Sequence, residues 1–213
     1  MICGVDEAGK GAVFGPLVVA AVCCDDPREC ARLGAKDSKK ISPSRREVLF
    51  TEISTRFKTA TVCIDAPSID RYLQVMTMNE CVVRAHAAVI TQLCPAIVYV
   101  DACDVNAARY GARLRALLDH DCTIIAEHKA DHTYPVVGAA SIIAKVVRDR
   151  EVAALRQRYG ALGSGYPADP VTRTFLVRYI NEHGRPPPFA RTSWQTVSDC
   201  LSSYSQTHFS DFK

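Results

Sequence analysis

Five short runs rich in apolar and β-branched residues, set between segments of helical spacing, constrain this chain more than any other feature. They cover residues 2–6, 17–24, 59–64, 97–101 and 123–127. Each has the length of a strand and the valine and isoleucine content of a buried one. Ser42 and Pro43 place an N-cap and a first-turn proline ahead of a helix over 45–57. Apolar residues three and four apart predict further helices over 79–93 and 105–118. A long helix over 136–159 is apolar early and charged late, so its first half should be buried. Strand and helix patterns in alternation predict an α/β fold with a sheet flanked by helices. After Gly160 a turn-rich stretch, 163–170, leads to short helices over 172–183 and 191–202, separated by Pro186, Pro187 and Pro188. The expected organisation is a catalytic core over 1–160, a small helical C-terminal region over 161–201 and a flexible tail over 202–213.

The chain has 213 residues, 48% of them hydrophobic, enough to bury a core without covalent staples. Its net charge of +3 marks no particular partner, so a nucleic-acid face would need locally clustered positive charge. Such clustering is offered by Lys39, Lys40, Arg45, Arg46, Lys145 and Arg148. There are ten cysteines but no Cys-x-x-Cys pair, which argues against a zinc ribbon. The N-terminus lacks a basic segment followed by a long apolar one, so a cytoplasmic location with reduced thiols is expected. The longest apolar run, 13–24, is broken by Gly15 and Pro16, and no membrane span is expected.

Four carboxylates stand where α/β sheets place their sites. Asp6 and Glu7 end the first strand, Asp101 ends the fourth, and Asp131 precedes the long helix. Singly, each reads as readily as a cap or a loop acid. Together they form an oxygen-rich set suited to Mg²⁺ or Mn²⁺, and two such ions about 4 Å apart can drive phosphodiester hydrolysis. Competing readings are weaker. Gly4, Gly9 and Lys10 have P-loop spacing, but Gly11 stands where a serine or threonine should bind magnesium. His128 and His132 are four apart, but the glutamate of a zinc protease is missing. A non-catalytic binding module would need no acid set.

The segment Gly4-Val5-Asp6-Glu7-Ala8-Gly9-Lys10-Gly11 resembles the signature of the type 2 ribonucleases H, where arginine is more usual than Lys10. The resemblance continues through Asp37-Ser38-Lys39-Lys40, Asp101-Ala102-Cys103-Asp104, His128-Lys129-Ala130-Asp131, the segment from Ala140 to Asp149, and Gly163-Ser164-Gly165-Tyr166 with Asp169. It closes with His183, Gly184, Pro187, Arg191 and Trp194, and is nearest the archaeal branch. It implies a ribonuclease H-like mixed five-stranded sheet flanked by helices. It also implies an endonuclease acting on RNA/DNA hybrids and on ribonucleotides embedded in duplex DNA, with 5′-phosphate and 3′-hydroxyl products. By position, Asp6, Glu7, Asp101 and Asp131 would be both catalytic and metal-binding, holding two Mg²⁺ or Mn²⁺ ions. Gly9, Lys10 and Gly11 would read the 2′-hydroxyl that separates RNA from DNA. Tyr166 would stack at the RNA–DNA junction, and Arg46 and Lys145 would lie near phosphates. The tail residues Gln206, Phe209 and Phe212 resemble the peptide that docks on a DNA sliding clamp. A monomer that binds no membrane is expected.

Overall fold

The computed structural model describes residues 1–34 and 41–209, with side chains as far as residue 206. Asp37, Ser38, Lys39 and Lys40 at one end of that gap, and Phe212 in the tail, lie outside the described residues, as does the side chain of Phe209.

Five strands form one mixed sheet: β1 (Ile2–Ala8), β2 (Leu17–Cys24), β3 (Lys58–Ile64), β4 (Ile97–Asp101) and β5 (Thr123–Glu127), in the order β3-β2-β1-β4-β5. β1 runs antiparallel to β2, with Asp6 opposite Ala20, and parallel to β4, with Val5 beside Val100. β4 runs parallel to β5, with Asp101 beside Glu127. The expectation of five equally buried strands holds for the middle of the sheet only. β2 is buried at all eight positions, whereas β3 and β5 are half-exposed. These two are edge strands, and an edge strand has a neighbour on one side only.

The chain folds as two compact units. Unit 1 comprises Met1–Ala8, Val18–Cys63 and Thr77–Val147; unit 2 comprises Gly9–Leu17, Ile64–Met76 and Arg148–Lys213. Their borders do not fall at residues 160 and 201, because segments near the start and middle of the chain join the C-terminal part.

In unit 1, α1 (Pro27–Arg32), α2 (Pro43–Arg56) and α7 (Pro135–Tyr159) bring Cys30, Leu33, Leu49, Ile53, Val136 and Ile143 against alternate residues of β2, Val18 to Cys24. Period-2 alternation puts those β2 residues, and Gly4 and Asp6 opposite them, on one face. Gly4 is glycine for a packing reason: a Cβ there would lie 2.3 Å from the Val136 backbone carbonyl. α4 (Met78–Leu93), α5 (Ala107–Ala116) and the four-residue α6 (Ala130–Thr133) complete this unit.

Unit 2 has its own core of Val13, Phe14, Val152, Leu162, Phe175, Phe189 and Val197, with Phe14 meeting both Phe175 and Phe189 edge to face. It contains α3 (Ala66–Tyr72), α8 (Pro170–His183) and α9 (Gln195–Phe209). The last helix starts later and runs further than the spacing predicts. Arg191, Thr192 and Ser193 are drawn away into other hydrogen bonds, described below. Leu201 and Tyr204 pack on the core, which carries the helix past residue 202, and Ser203 and Ser205 donate to carbonyls one turn back at 3.0 Å. The short helices α1 and α3 were also unexpected, although Asp26 and Asp65 each cap a first turn containing proline.

All ten cysteines are free thiols. Among the described residues, no helix is long and apolar enough to cross a membrane.

Candidate active site

β1 delivers two acids to opposite faces of the sheet. Asp6 follows Gly4 onto the α7 face, where it is 6% exposed and hydrogen-bonds Ser141. Its Oδ1 also accepts from the Glu7 backbone N–H at 2.7 Å. Glu7, one residue on, turns to the other face and meets His86 of α4, with Oε2 at 3.2 Å from Nε2. The same alternation, carried through the β1–β4 register, puts Asp101 on the face of Asp6.

A bend after β5 sets the last acid. Lys129 takes the left-handed conformation, φ 57°, rare for a residue with a side chain. That turn directs the Ala130 N–H onto Asp101 Oδ1 at 3.1 Å and starts α6, in whose first turn Asp131 sits 2% exposed. His132 Nε2 lies 3.8 Å from the Asp131 carboxylate, and His128 Nδ1 lies 3.2 Å from the Ala102 carbonyl.

These acids feel one another. Burial pushes the Asp6 carboxyl well above the usual range, and the charges of Glu7 and Asp101 push it further. Burial likewise raises Asp101, aided by Asp131 and Glu7, against the Ala130 N–H that lowers it. Yet among the described residues no three histidine, cysteine, aspartate or glutamate side chains already stand together as a metal cage. The reason is physical. Like charges repel, and Glu7 faces away from Asp6 toward His86. The donor set nonetheless fits a hard divalent cation: four carboxylates whose repulsion a cation would convert into attraction.

Unit 2 carries the expected reading loop. Gly9 has φ 88°, and a Cβ there would lie 2.5 Å from the Pro16 carbonyl oxygen and 2.4 Å from Arg148 Nε. Gly11 differs: its φ needs no glycine, and a Cβ would meet nothing within 4 Å. The loop is tied by Arg191, which is fully buried. Its guanidinium donates to the carbonyls of Gly9 at 2.6 Å, Lys10 at 2.8 Å and Gly15 at 3.1 Å. Val13 and Phe14 N–H groups both donate to the Gly165 carbonyl, at 2.7 and 3.1 Å, joining this loop to the segment before Tyr166.

Tyr166 is half-exposed, with the Arg148 guanidinium 4.6 Å from its ring centre. Its turn is fixed by Asp169, which accepts from the Ser164 N–H at 2.6 Å and caps α8. Thr172 accepts from Gly165 N–H and donates to the Leu162 carbonyl. Arg148 is thus a support for Tyr166 and not an open cation, and it is 2% exposed.

Of the other expected contacts, Lys10 and Lys145 are half-exposed. Arg46 is 7% exposed, and its Nη1 donates to the Ile41 carbonyl at 2.6 Å. Gln206 is exposed on α9, and Phe209 is that helix's last residue. The residues that pattern reading missed are His86 and Tyr110 behind Glu7, and the loop-tying role of Arg191. His86 gave one signal, a histidine on the apolar stripe of α4 beside Val82, Val83 and Ile90.

The chain is thus an α/β protein that carries buried acids, Asp6 and Asp101, at the ends of adjacent parallel strands. A family model for ribonuclease HII matches residues 3–197. A protein of Methanoregula boonei named Ribonuclease HII is 55% identical over 212 residues, covering 100% of both chains. The crystal structure of ribonuclease H2 from Pyrococcus horikoshii OT3 superposes with a TM-score of 0.91 at 38% identity, over 96% of this chain and 99% of that one. The Archaeoglobus fulgidus ribonuclease HII, solved in complex with PCNA, gives a TM-score of 0.89 at 44% identity, over 94% and 96% of the two chains. The chain belongs to the ribonuclease HII family and is an endoribonuclease. Membership implies endonucleolytic cleavage of RNA in RNA/DNA hybrids.

Proposed function

We propose that this enzyme also cuts at single ribonucleotides embedded in duplex DNA, leaving 5′-phosphate and 3′-hydroxyl ends, with Asp6, Glu7, Asp101 and Asp131 as its metal-binding acids. The observation that carries the reading is the placement of Asp6 and Asp101 on one face at the ends of adjacent parallel strands, both carboxyls pushed up by burial and by neighbouring acids. A pair of Mg²⁺ or Mn²⁺ ions held by these acids would supply Lewis-acid activation of water and stabilise the departing 3′-oxygen. The chain itself fixes where the acids stand: the Ala130 N–H and Ser141 restrain two of them, and His86 faces a third.

Substrate choice belongs to Gly9, Lys10, Gly11 and Tyr166. Backbone at Gly11 is open enough for a ribose to approach closely, and nothing in the described chain demands glycine there. Tyr166 offers a ring held from behind by Arg148, suited to stacking on a sugar or base. Lys145 and Arg46 would lie near phosphates of the substrate.

The test is a duplex carrying one ribonucleotide, incubated with wild type and with Asp101→Asn. Wild type should cleave it only with divalent metal, giving a 3′-hydroxyl. Asp101→Asn should lose roughly 1000-fold or more, about 4 kcal/mol of barrier, while still binding the duplex. Near-normal turnover of the variant, or a 2′,3′-cyclic phosphate product, overturns the reading.

The A. fulgidus relative was solved with PCNA. We extend that here to the tail: Gln206, Phe209 and Phe212 would dock on a sliding clamp, raising the enzyme's local concentration on DNA. Phe209→Ala with Phe212→Ala should abolish clamp binding in calorimetry and leave cleavage of a short duplex intact; clamp binding that survives both changes contradicts it.

A further inference from the structure

We propose that His86 is a positioning residue for Glu7, with Tyr110 holding the imidazole in the tautomer that points an N–H at the Glu7 carboxylate. The inference rests on the assignment of Glu7 as a metal-binding acid. It concerns two residues with no other evident task in the site.

His86 is fully buried, as is Tyr110. A histidine so placed cannot touch a substrate, so it does not serve as a proton donor to one. Its two nitrogens have different neighbours. Nδ1 lies 2.7 Å from the Tyr110 hydroxyl, and the two rings meet edge to face at 5.8 Å. Nε2 lies 3.2 Å from Glu7 Oε2. Both atoms are buried, and neither has a hydrogen-bond partner among the described residues. Buried polar atoms without partners are rare enough that this pairing is the natural outcome.

The tautomer follows from donor counting. A neutral imidazole offers one donor and one acceptor nitrogen. The Glu7 carboxylate can only accept, so the hydrogen belongs on the Nε2 that faces it. Nδ1 is then the acceptor of a neutral ring, and the Tyr110 hydroxyl beside it donates. The chain reads Tyr110 O–H to His86 Nδ1, then His86 Nε2–H to Glu7 Oε2. Glutamate has three side-chain torsions, so pinning one oxygen restricts where the other can go. Partners behind a metal ligand orient it and commonly govern affinity by 10- to 100-fold.

The experiment is Mn²⁺ titration of the metal-free protein by calorimetry, with thermal unfolding measured alongside. Glu7→Gln sets the loss expected when this ligand is removed. His86→Leu, which cannot donate, should weaken Mn²⁺ by roughly 10-fold or more. His86→Gln, whose amide can still donate from a similar place, should retain affinity within about threefold, since a tenfold change would mean losing about 1.4 kcal/mol. His86→Leu on the Glu7→Gln background should cost nothing further. If His86→Leu does not fold, His86→Asn replaces it, keeping an amide too short to reach Glu7. Wild-type Mn²⁺ affinity in a folded His86→Leu or His86→Asn overturns the proposal, as does equal loss in His86→Gln and His86→Leu. Wild-type affinity in Glu7→Gln instead overturns the assignment of Glu7 itself, which separates the two failures.

Discussion

Unit 1 and unit 2 solve the burial of polar groups in opposite ways. In unit 1 the buried polar residues at the strand ends are carboxylates, and Asp6 is pushed up by burial and by Glu7 and Asp101 together. In unit 2 Arg191 serves three carbonyls, Thr172 both accepts and donates, and Asp169 holds the turn before Tyr166, with Arg148 Nε left as a buried atom without a partner. A satisfied network fixes shape. A set of neighbouring like charges is relieved by a cation. On the proposed reading, unit 1 holds the chemistry and unit 2 the recognition.

The largest effect should come from Arg191→Ala. It strands the carbonyls of Gly9, Lys10 and Gly15, and each buried acceptor left alone costs about 1–3 kcal/mol. Loss of roughly 3 kcal/mol or more in chemical denaturation is expected, within the range reserved for broken buried networks. Arg191→Lys should recover little, because one ammonium cannot span three carbonyls. A variant within about 0.5 kcal/mol of wild type would mean the loop holds its shape unaided.

The two glycines of the loop sharpen the comparison next. Gly9→Ala should destabilise by about 2 kcal/mol, since its φ is positive and its Cβ would strike the Pro16 carbonyl and the Arg148 side chain. Gly11→Ala should leave stability within about 0.5 kcal/mol, because its Cβ meets nothing within 4 Å. Its cleavage of a ribonucleotide-containing duplex should nonetheless fall tenfold or more, about 1.4 kcal/mol of barrier. Unchanged cleavage in a folded Gly11→Ala would remove this residue from substrate reading.

What the sequence made legible follows the same division. Asp6, Glu7 and Asp101 stood out because strand-end carboxylates sit beside runs of β-branched residues, and Asp131 because it precedes the apolar start of a long helix, both local patterns. The five strands were visible for the same reason, and so was the cap of α2 at Ser42, whose hydroxyl accepts from the Arg45 N–H. What stayed hidden needed distant partners. The Gly9 carbonyl finds Arg191 across 182 positions, and Asp70 finds Ser193 across 123. The opposite facing of Asp6 and Glu7 could have been read from the two-residue period of a strand, but only once β1 was known to extend through Ala8. His86 looked like any apolar-face histidine until Tyr110 and Glu7 closed on it from other elements.

The smallest effects, and the most direct comparison of the units, concern two aspartates with opposite pH behaviour. Asp6 in unit 1 has a carboxyl raised by burial first and by Glu7 and Asp101 after it. Folding therefore favours its protonated form. Its contribution is complete below the ordinary carboxylate pKa and is lost as pH rises through the raised one. Asp70 in unit 2 is pushed up by burial, but the Ser193 and Thr192 hydroxyls and N–H groups outweigh that and hold it below the usual range. All four donors lie within 3.1 Å. Its contribution is present above the ordinary carboxylate pKa and is lost as pH falls through the depressed one. In metal-free protein, Asp6→Asn should therefore melt with wild type in acid and above it near neutrality, by about 1 kcal/mol, at the expense of cleavage. Asp70→Asn should match wild type in acid and melt below it near neutrality. An amide turns one acceptor into a donor facing other donors, but the site is partly solvated, so about 1 kcal/mol or less is expected. Thermal unfolding of the three proteins across pH, with chelator and then with Mg²⁺, measures both differences. Added Mg²⁺ should stabilise wild type more than Asp6→Asn and leave the Asp70→Asn difference unchanged. Two differences of the same sign, or a Mg²⁺ effect that ignores Asp6, would break the division between a unit that stores charge and a unit that spends it.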